Sequence, residues 1–248
     1  GLALPGNGTI LATSPDRLEL YRAAARQIVE LVRRDLKPRD ILTPAAFDNA
    51  MVLDMAIGGS TNTLLHILAI AREAGIDYDM ARINELSQRT PTIVKLAPSP
   101  GQDGRLYHIE DLQAAGGIMT VLGELARGAA DLLDTRTLTV TGQTLGEAIA
   151  RYDIRARGEA VQTVGLSPRR AAALADSGWA DRIRGAALRR QGAAAGQHAG
   201  PVVLQTIQAN TFDPFDCVRT VANAYSTQGG LYILYGNIAP AGSVVKTA

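Results

Sequence analysis

Cysteine is almost missing from this chain: there is one, Cys217, in 248 residues. A single thiol excludes an internal disulfide framework and favours a reducing, cytoplasmic setting. Aromatic residues are scarce as well, at 4%. The core must therefore be built mainly from Leu, Ile, Val and Ala. No apolar run reaches the roughly 18 residues that a membrane span needs. Charge of one sign is not in excess: the net charge is +1, so no global field draws in nucleic acid or a membrane surface, and neither is expected as a partner. The arginines between residues 151 and 190 lack the interleaved aromatics of an RNA-binding face. The first residues, Gly1-Leu2-Ala3-Leu4-Pro5, show neither an initiator methionine nor a basic leader. No signal peptide is expected, and an internal portion of a longer protein is.

What is present is a chain with globular composition, 46% apolar and 20% charged, long enough to bury a substantial core. Ser14-Pro15-Asp16 marks a helix start, with Ser14 as cap and Pro15 in the first position. The helical pattern runs to about Leu36, with Leu20, Ala24, Ile28, Leu31 and Val32 on its apolar face. Thr43-Pro44 opens a second helix to about Ala56, on which Phe47, Met51 and Met55 recur at spacing four. After Gly58-Gly59 a third helix runs to Glu73, with Gly75 closing it. Asp79 to Gln88 predicts a short helix using Ile83 and Leu86. Residues 92–96 read as a buried strand. His108 to Asp111 leads into a helix that Gly116-Gly117 interrupts, and Ile118 resumes it. Residues 137–142 alternate like a strand ending in a turn. Thr144 caps a helix to Ala150. The segment 151–200 is rich in Ala, Arg and Gly, with a helix at Ser167-Pro168 and low complexity at 189–196. From Pro201 the pattern turns β-like; residues 229–235 are a buried strand, and 243–246 follow after turns. Helices alternating with short strands predict an α/β layered domain.

Few constellations carry chemistry. The joint Gly58-Gly59-Ser60-Thr61-Asn62 places small polar caps before an apolar helix. Its first-turn N–H groups and dipole suit a carboxylate or monophosphate, but the same joint also serves as an ordinary capped turn. It is not a P-loop, since no lysine follows the glycines. His66 sits one turn into that helix among Leu64, Leu65, Ile67 and Leu68. It reads as a buried histidine or as a pocket residue. A metal-ligand role is disfavoured, because Ala69 and Ile70 occupy the i+3 and i+4 positions. His108-Ile109-Glu110-Asp111 is the densest acid–base cluster, read as a helix cap or as an acid–base group awaiting a partner. Asp48 and Asp54 read as a solvated face plus one buried polar contact. Cys217, among Phe215, Val218 and Val221, reads as a buried structural thiol ahead of a nucleophile.

Several stretches together carry a family resemblance. The run 58–71 (GGSTNTLLHILAIA) is the strongest of them. With it stand LPGNGT at residues 4–9, AFDNA at 46–50, YHIEDL at 107–112 followed by AGG at 115–117, TVTGQTL at 139–145 and GGLYILYGNIAPAGSVVKT at 229–247. In this order they resemble the dihydroxy-acid/phosphogluconate dehydratase family, which also includes sugar-acid dehydratases. Thr63, directly after Asn62, resembles the dihydroxy-acid branch.

The resemblance implies a hydro-lyase that converts 2,3-dihydroxy-3-methyl acids into 2-keto acids in branched-chain amino-acid biosynthesis. It implies an iron–sulfur cluster, Mg²⁺, a small dihydroxy-acid substrate, a homodimer and a cytoplasmic location. The family's cluster cysteines lie upstream of the segment matched here, and its proposed catalytic serine lies downstream. No catalytic residue and no metal ligand is therefore expected in this chain. The residues expected to line a substrate pocket are Gly59, Ser60, Thr61, Asn62 and His66. The implied organisation is the rear of the α/β domain at 1–150, a variable segment at 151–209, and the first strands of a β-rich C-terminal domain at 210–248. Competing readings are a sugar-acid or phosphogluconate dehydratase, or a non-catalytic scaffold fragment.

Overall fold

The computed structural model describes residues 1–101, 104–156 and 213–247. The chain divides into two units, Gly1–Val161 with Asp213–Ala248, and Gln162–Phe212. All described residues belong to the first. The helix expected at Ser167-Pro168, the low-complexity stretch at 189–196 and the β-like pattern from Pro201 to residue 212 lie outside the described residues.

Helix α1 spans Pro15–Arg33; the Ser14 hydroxyl accepts from the Asp16 N–H at 3.3 Å, as the Ser-Pro-Asp signal predicts. After the single-turn helix α2 (Pro38–Ile41), α3 (Pro44–Ala56) starts on Thr43, whose hydroxyl accepts from the Ala46 N–H. Helix α3 runs through the core. Phe47, Met51, Val52, Met55 and Ala56 are all buried, on more than one face. A helix with apolar residues on several faces belongs inside, and its few polar side chains, Asp48, Asn49 and Asp54, are hydrogen-bonded. Helix α4 (Thr61–Ala74) follows the double glycine and ends on Gly75 at φ +74°. Helix α5 (Met80–Arg89) is capped by Asp79 and buries Ile83 and Leu86, as its spacing predicts. Asp48 and Arg82 join α3 to α5 through an ion pair at 2.6 Å, and the Tyr78 hydroxyl donates to Asp48 at 3.0 Å.

Helix α6 (Ile109–Ala114) and helix α7 (Gly117–Gly128) are separated at Gly116, which has φ +110°. A side chain there would collide with Thr120 and Ile154. Helix α8 (Leu145–Tyr152) begins with a reciprocal cap: Thr144 Oγ1 accepts from the Glu147 N–H at 3.2 Å, and Glu147 accepts from the Thr144 N–H at 2.8 Å. Strands β1 (Leu231–Leu234) and β2 (Ser243–Lys246) pair antiparallel, with Leu231 opposite Lys246. This hairpin is the one sheet among the described residues. Its β1 strand packs on α5: Ser87 Oγ donates to the Leu231 carbonyl, and the Ile233 N–H donates to Asn84.

The chain is thus mixed, mostly helical with a small sheet, and roughly α/β. Three expectations need correction. Residues 92–96 are extended and mostly buried but form no strand of a sheet. Thr92 makes a single bridge to Ser226, and the N–H groups of Ile93 and Val94 both donate to the Ala56 carbonyl at the end of α3. Residues 137–142 likewise make one bridge, Leu138 to Thr144, and then turn at Gly142. Helix α1 does not bury its apolar stripe. Leu31 is buried, but Ile28 is 59% and Val32 75% exposed.

Candidate functional site

The double glycine is held by what packs on it. Gly58 has φ +89° and Gly59 φ +70°, a conformation that side chains disfavour. A Cβ on Gly59 would lie 2.6 Å from the Leu231 side chain. The joint is therefore sandwiched between α3 and the β1–β2 hairpin, with α4 leaving from it.

An acid of the chain stands at the start of α4. Ser60 occupies the N-cap position, but its hydroxyl makes no capping bond. Asp54, from the last turns of α3, supplies the carboxylate instead. It accepts from the Ser60 N–H at 3.4 Å and from the Thr63 hydroxyl at 2.9 Å. Of the two readings of the joint, the capped turn has its acid within the chain, since Asp54 takes the place of a capping side chain there. Burial pushes the Asp54 carboxyl above its ordinary value of 3.8, while the Thr63 and Ser60 hydrogen bonds and the Lys246 charge pull it back. Asp54 and Asp48 are both partly buried and bonded, so the expectation that one of them lies on a solvated face is corrected. Asp48 is committed to Arg82 and Tyr78.

Beside this carboxylate opens a cavity of about 180 Å³. It is lined by Asp54, Ser60, Lys95, Ser99 and Lys246, with the Gly58-Gly59 backbone on one side. Lys95 comes from the segment running over the end of α3, and Lys246 from the last position of β2. Five residues were expected to form a pocket; Gly59 and Ser60 line this cavity, whereas Thr61, Asn62 and His66 do not and are exposed on α4. For His66 the buried reading is thereby corrected: its apolar neighbours Leu65 and Ile70 are exposed as well.

Sequence reasoning missed Asp54 as a site residue, and both lysines. A signal was present. Ile93-Val94-Lys95 and Val244-Val245-Lys246 each end a β-branched pair in a lysine. At 93–95 this pattern brings a charged head to the rim of a buried segment, whereas Val245 is exposed and 244–246 lie at the surface.

The other candidates have structural roles. Asp111 accepts from the His108 N–H at 2.7 Å, so the acid caps α6 and the imidazole stays exposed. Cys217 is buried, and burial, followed by the nearby Asp111 and Asp216 charges, pushes its thiol up to about 12. Such a thiol is a poor nucleophile. Among the described residues no group of three or more His, Cys, Asp or Glu side chains comes together to hold a metal.

Comparison with known proteins bears on this site. A curated dihydroxy-acid dehydratase from Aquifex aeolicus (strain VF5) is 42% identical over 248 residues, which is all of this chain and 33% of that protein. The chain thus spans about a third of the length of the relative it matches. The family model for the dihydroxy-acid/6-phosphogluconate dehydratase N-terminal region matches residues 1–148 and so takes in α1 to α7, the glycine joint, Asp54 and Lys95. More than half of the chain lies within that match, and the chain belongs to the dihydroxy-acid/6-phosphogluconate dehydratase family.

Proposed function

We propose that the protein containing this chain is a hydro-lyase that dehydrates 2,3-dihydroxy-3-methyl carboxylic acids to 2-keto acids in branched-chain amino-acid biosynthesis. In that reaction a proton leaves C2, hydroxide leaves C3, and the resulting enol becomes the ketone. The glycine joint and its cavity form one wall of the substrate pocket. One observation carries this reading: the GGSTN motif on which the resemblance centres puts Gly59 and Ser60 on a cavity lined by charged side chains from three separate segments. The 42% identity to a protein of that name supports the substrate class.

We further propose that the chain is an internal part of a cytoplasmic homodimer. Its parts are the rear of a layered α/β domain at 1–150, a variable segment at 151–209, and the start of a β-rich domain at 210–248. The iron–sulfur cluster and Mg²⁺ of the family do not fit the described residues. The thiol of Cys217 is buried and held protonated, and no acid cluster stands in for a cation site. Any such group belongs to parts of the protein beyond these residues, and the role left to this chain is to bind and orient the acid.

The test uses the complete polypeptide. Ser60→Ala, at a residue that lines the cavity, should lower turnover of 2,3-dihydroxy-3-methylbutanoate about tenfold, the usual scale for one lost polar contact. Unchanged turnover would remove the pocket assignment. A second reading follows from the family description, which names 6-phosphogluconate. Faster turnover of that compound or of a sugar acid would favour it.

A further inference from the structure

The lining of the cavity beside the glycine joint includes two lysines and one aspartate. Lys95 and Lys246 both line it, and neither forms an ion pair among the described residues. The contact recorded for Lys95 is with the face of Tyr225, 5.5 Å from the ring centroid. Lys246 lies near enough to Asp54 to lower its pKa. The carboxylate of Asp54 is turned to the start of α4, where Ser60 and Thr63 donate to it. Two lysines thus face one carboxylate in the cavity, which leaves an excess of positive charge there. Two hydroxyl groups, on Ser60 and Ser99, complete the polar lining.

A cavity of about 180 Å³ has room for several waters. A short-chain acid fits that space. Ammonium groups are point donors with no acceptor, so they recognise a carboxylate or phosphate. A hydroxyl on the guest can pair with serine, which both donates and accepts.

We propose that Lys95 and Lys246 together hold the carboxylate of a small hydroxy acid in this cavity, with Ser60 and Ser99 facing the hydroxyl-bearing end. The assignment rests on the substrate-pocket reading above and names the end of the substrate that this wall grips. The carboxylate is assigned to the two lysines and not to the first turn of α4, where the Ser60 N–H and the Thr63 hydroxyl already donate to Asp54. Because β2 contributes Lys246 and the 92–99 segment contributes Lys95, the grip spans the helical body and the hairpin.

The test measures binding without turnover. The 248-residue chain, labelled with nitrogen-15, is titrated with 2,3-dihydroxy-3-methylbutanoate, with the corresponding uncharged amide, and with inorganic sulfate. The acid should give saturable shifts at Gly59, Ser60 and Lys95, and the amide should not. Lys95→Gln and Lys246→Gln should each weaken acid binding about tenfold, the loss expected for a charge-assisted contact. Lys95→Arg should retain it, which separates lost charge from a disturbed fold. Equal shifts from the amide, unchanged affinity in both glutamine variants, or sulfate binding as tightly as the acid would each overturn the proposal. Binding by this chain, together with undiminished turnover when Ser60 is altered in the complete polypeptide, would keep the carboxylate site and discard the pocket reading. No binding alongside a turnover defect would do the reverse.

Discussion

Asp54 is held in a conflict that pH should expose. Its carboxyl is buried and its pKa raised, so the folded state retains a proton that the unfolded chain has already lost. For a raised carboxylate the contribution to stability is fully present below the unfolded value and fades as pH rises through the folded one. Compared with Asp54→Asn, the parent chain should therefore lose stability on going from pH about 4 to neutrality. Urea unfolding at the two pH values measures this; a difference that grows in the parent's favour would contradict it. Gly59 gives a second prediction at the same scale. Gly59→Ala forces a side chain into φ +70° and onto Leu231. The expected loss is about 1–3 kcal/mol, seen as a lower urea midpoint. Cys217 gives a third. With its thiol buried and its pKa raised to about 12, it should resist alkylation by iodoacetamide at mildly alkaline pH and react once the chain is unfolded in urea. Rapid labelling of the native chain would show that the thiol is accessible.

Among the elements, one group of charges stands out for what it joins. Arg127 on α7 pairs with Asp153 at 2.6 Å and with Glu124 at 3.1 Å. Arg155, just beyond α8, pairs with the same Glu124 and donates to the carbonyls of Pro214 and Val218 at 3.0 and 2.7 Å. Its guanidinium also lies over the Phe215 ring. Side chains of Glu124, Asp153 and Arg155 are all nearly inaccessible. Breaking such a buried network at one member leaves the others desolvated and underpaired. Arg155→Met should cost about 3 kcal/mol, measured by urea unfolding, and a change within about 0.5 kcal/mol, the scale of an ordinary surface substitution, would show that the network contributes little. Nothing in the sequence near Arg155 announces this role, because its partners come from two distant stretches, Glu124 on α7 and residues 214–218. Helix starts were far more legible. Ser14, Thr43, Asp79 and Thr144 all cap where their local pattern predicts, since a cap is decided within a few residues. The two misread strands mark the limit of local reading. Residues 92–96 have strand composition, but sheet formation needs a partner, and theirs are the end of α3 and an irregular segment. The same holds at the site: the glycine joint was visible as a motif, whereas Lys95, Lys246 and Asp54 meet only through tertiary packing.

At the scale of the whole molecule, the apolar stripe of α1 is informative because it stays uncovered. Leu18, Tyr21, Ile28, Val29 and Val32 are all exposed, as are Leu65 and Ile70 on α4. Stripes of this kind are ordinarily buried against something. The chain spans about a third of the length of its dehydratase relative, and helical periodicity reports that a face is apolar without reporting which part of a protein covers it.

The contact between the hairpin and the glycine joint also sets an order of events. Ser87 and Leu231 lie 144 residues apart in the chain, and the cavity exists only once they meet. The cost of closing so long a loop grows only slowly with length, but non-local pairings of this kind go with slow folding. During synthesis, α3, α4 and the joint emerge long before β1 and β2. Asp54 and the glycine joint can therefore be in place while the lysine of β2 is still unmade. Ligand binding at this cavity should appear with the slowest step of refolding, which makes the site a late reporter of a completed fold.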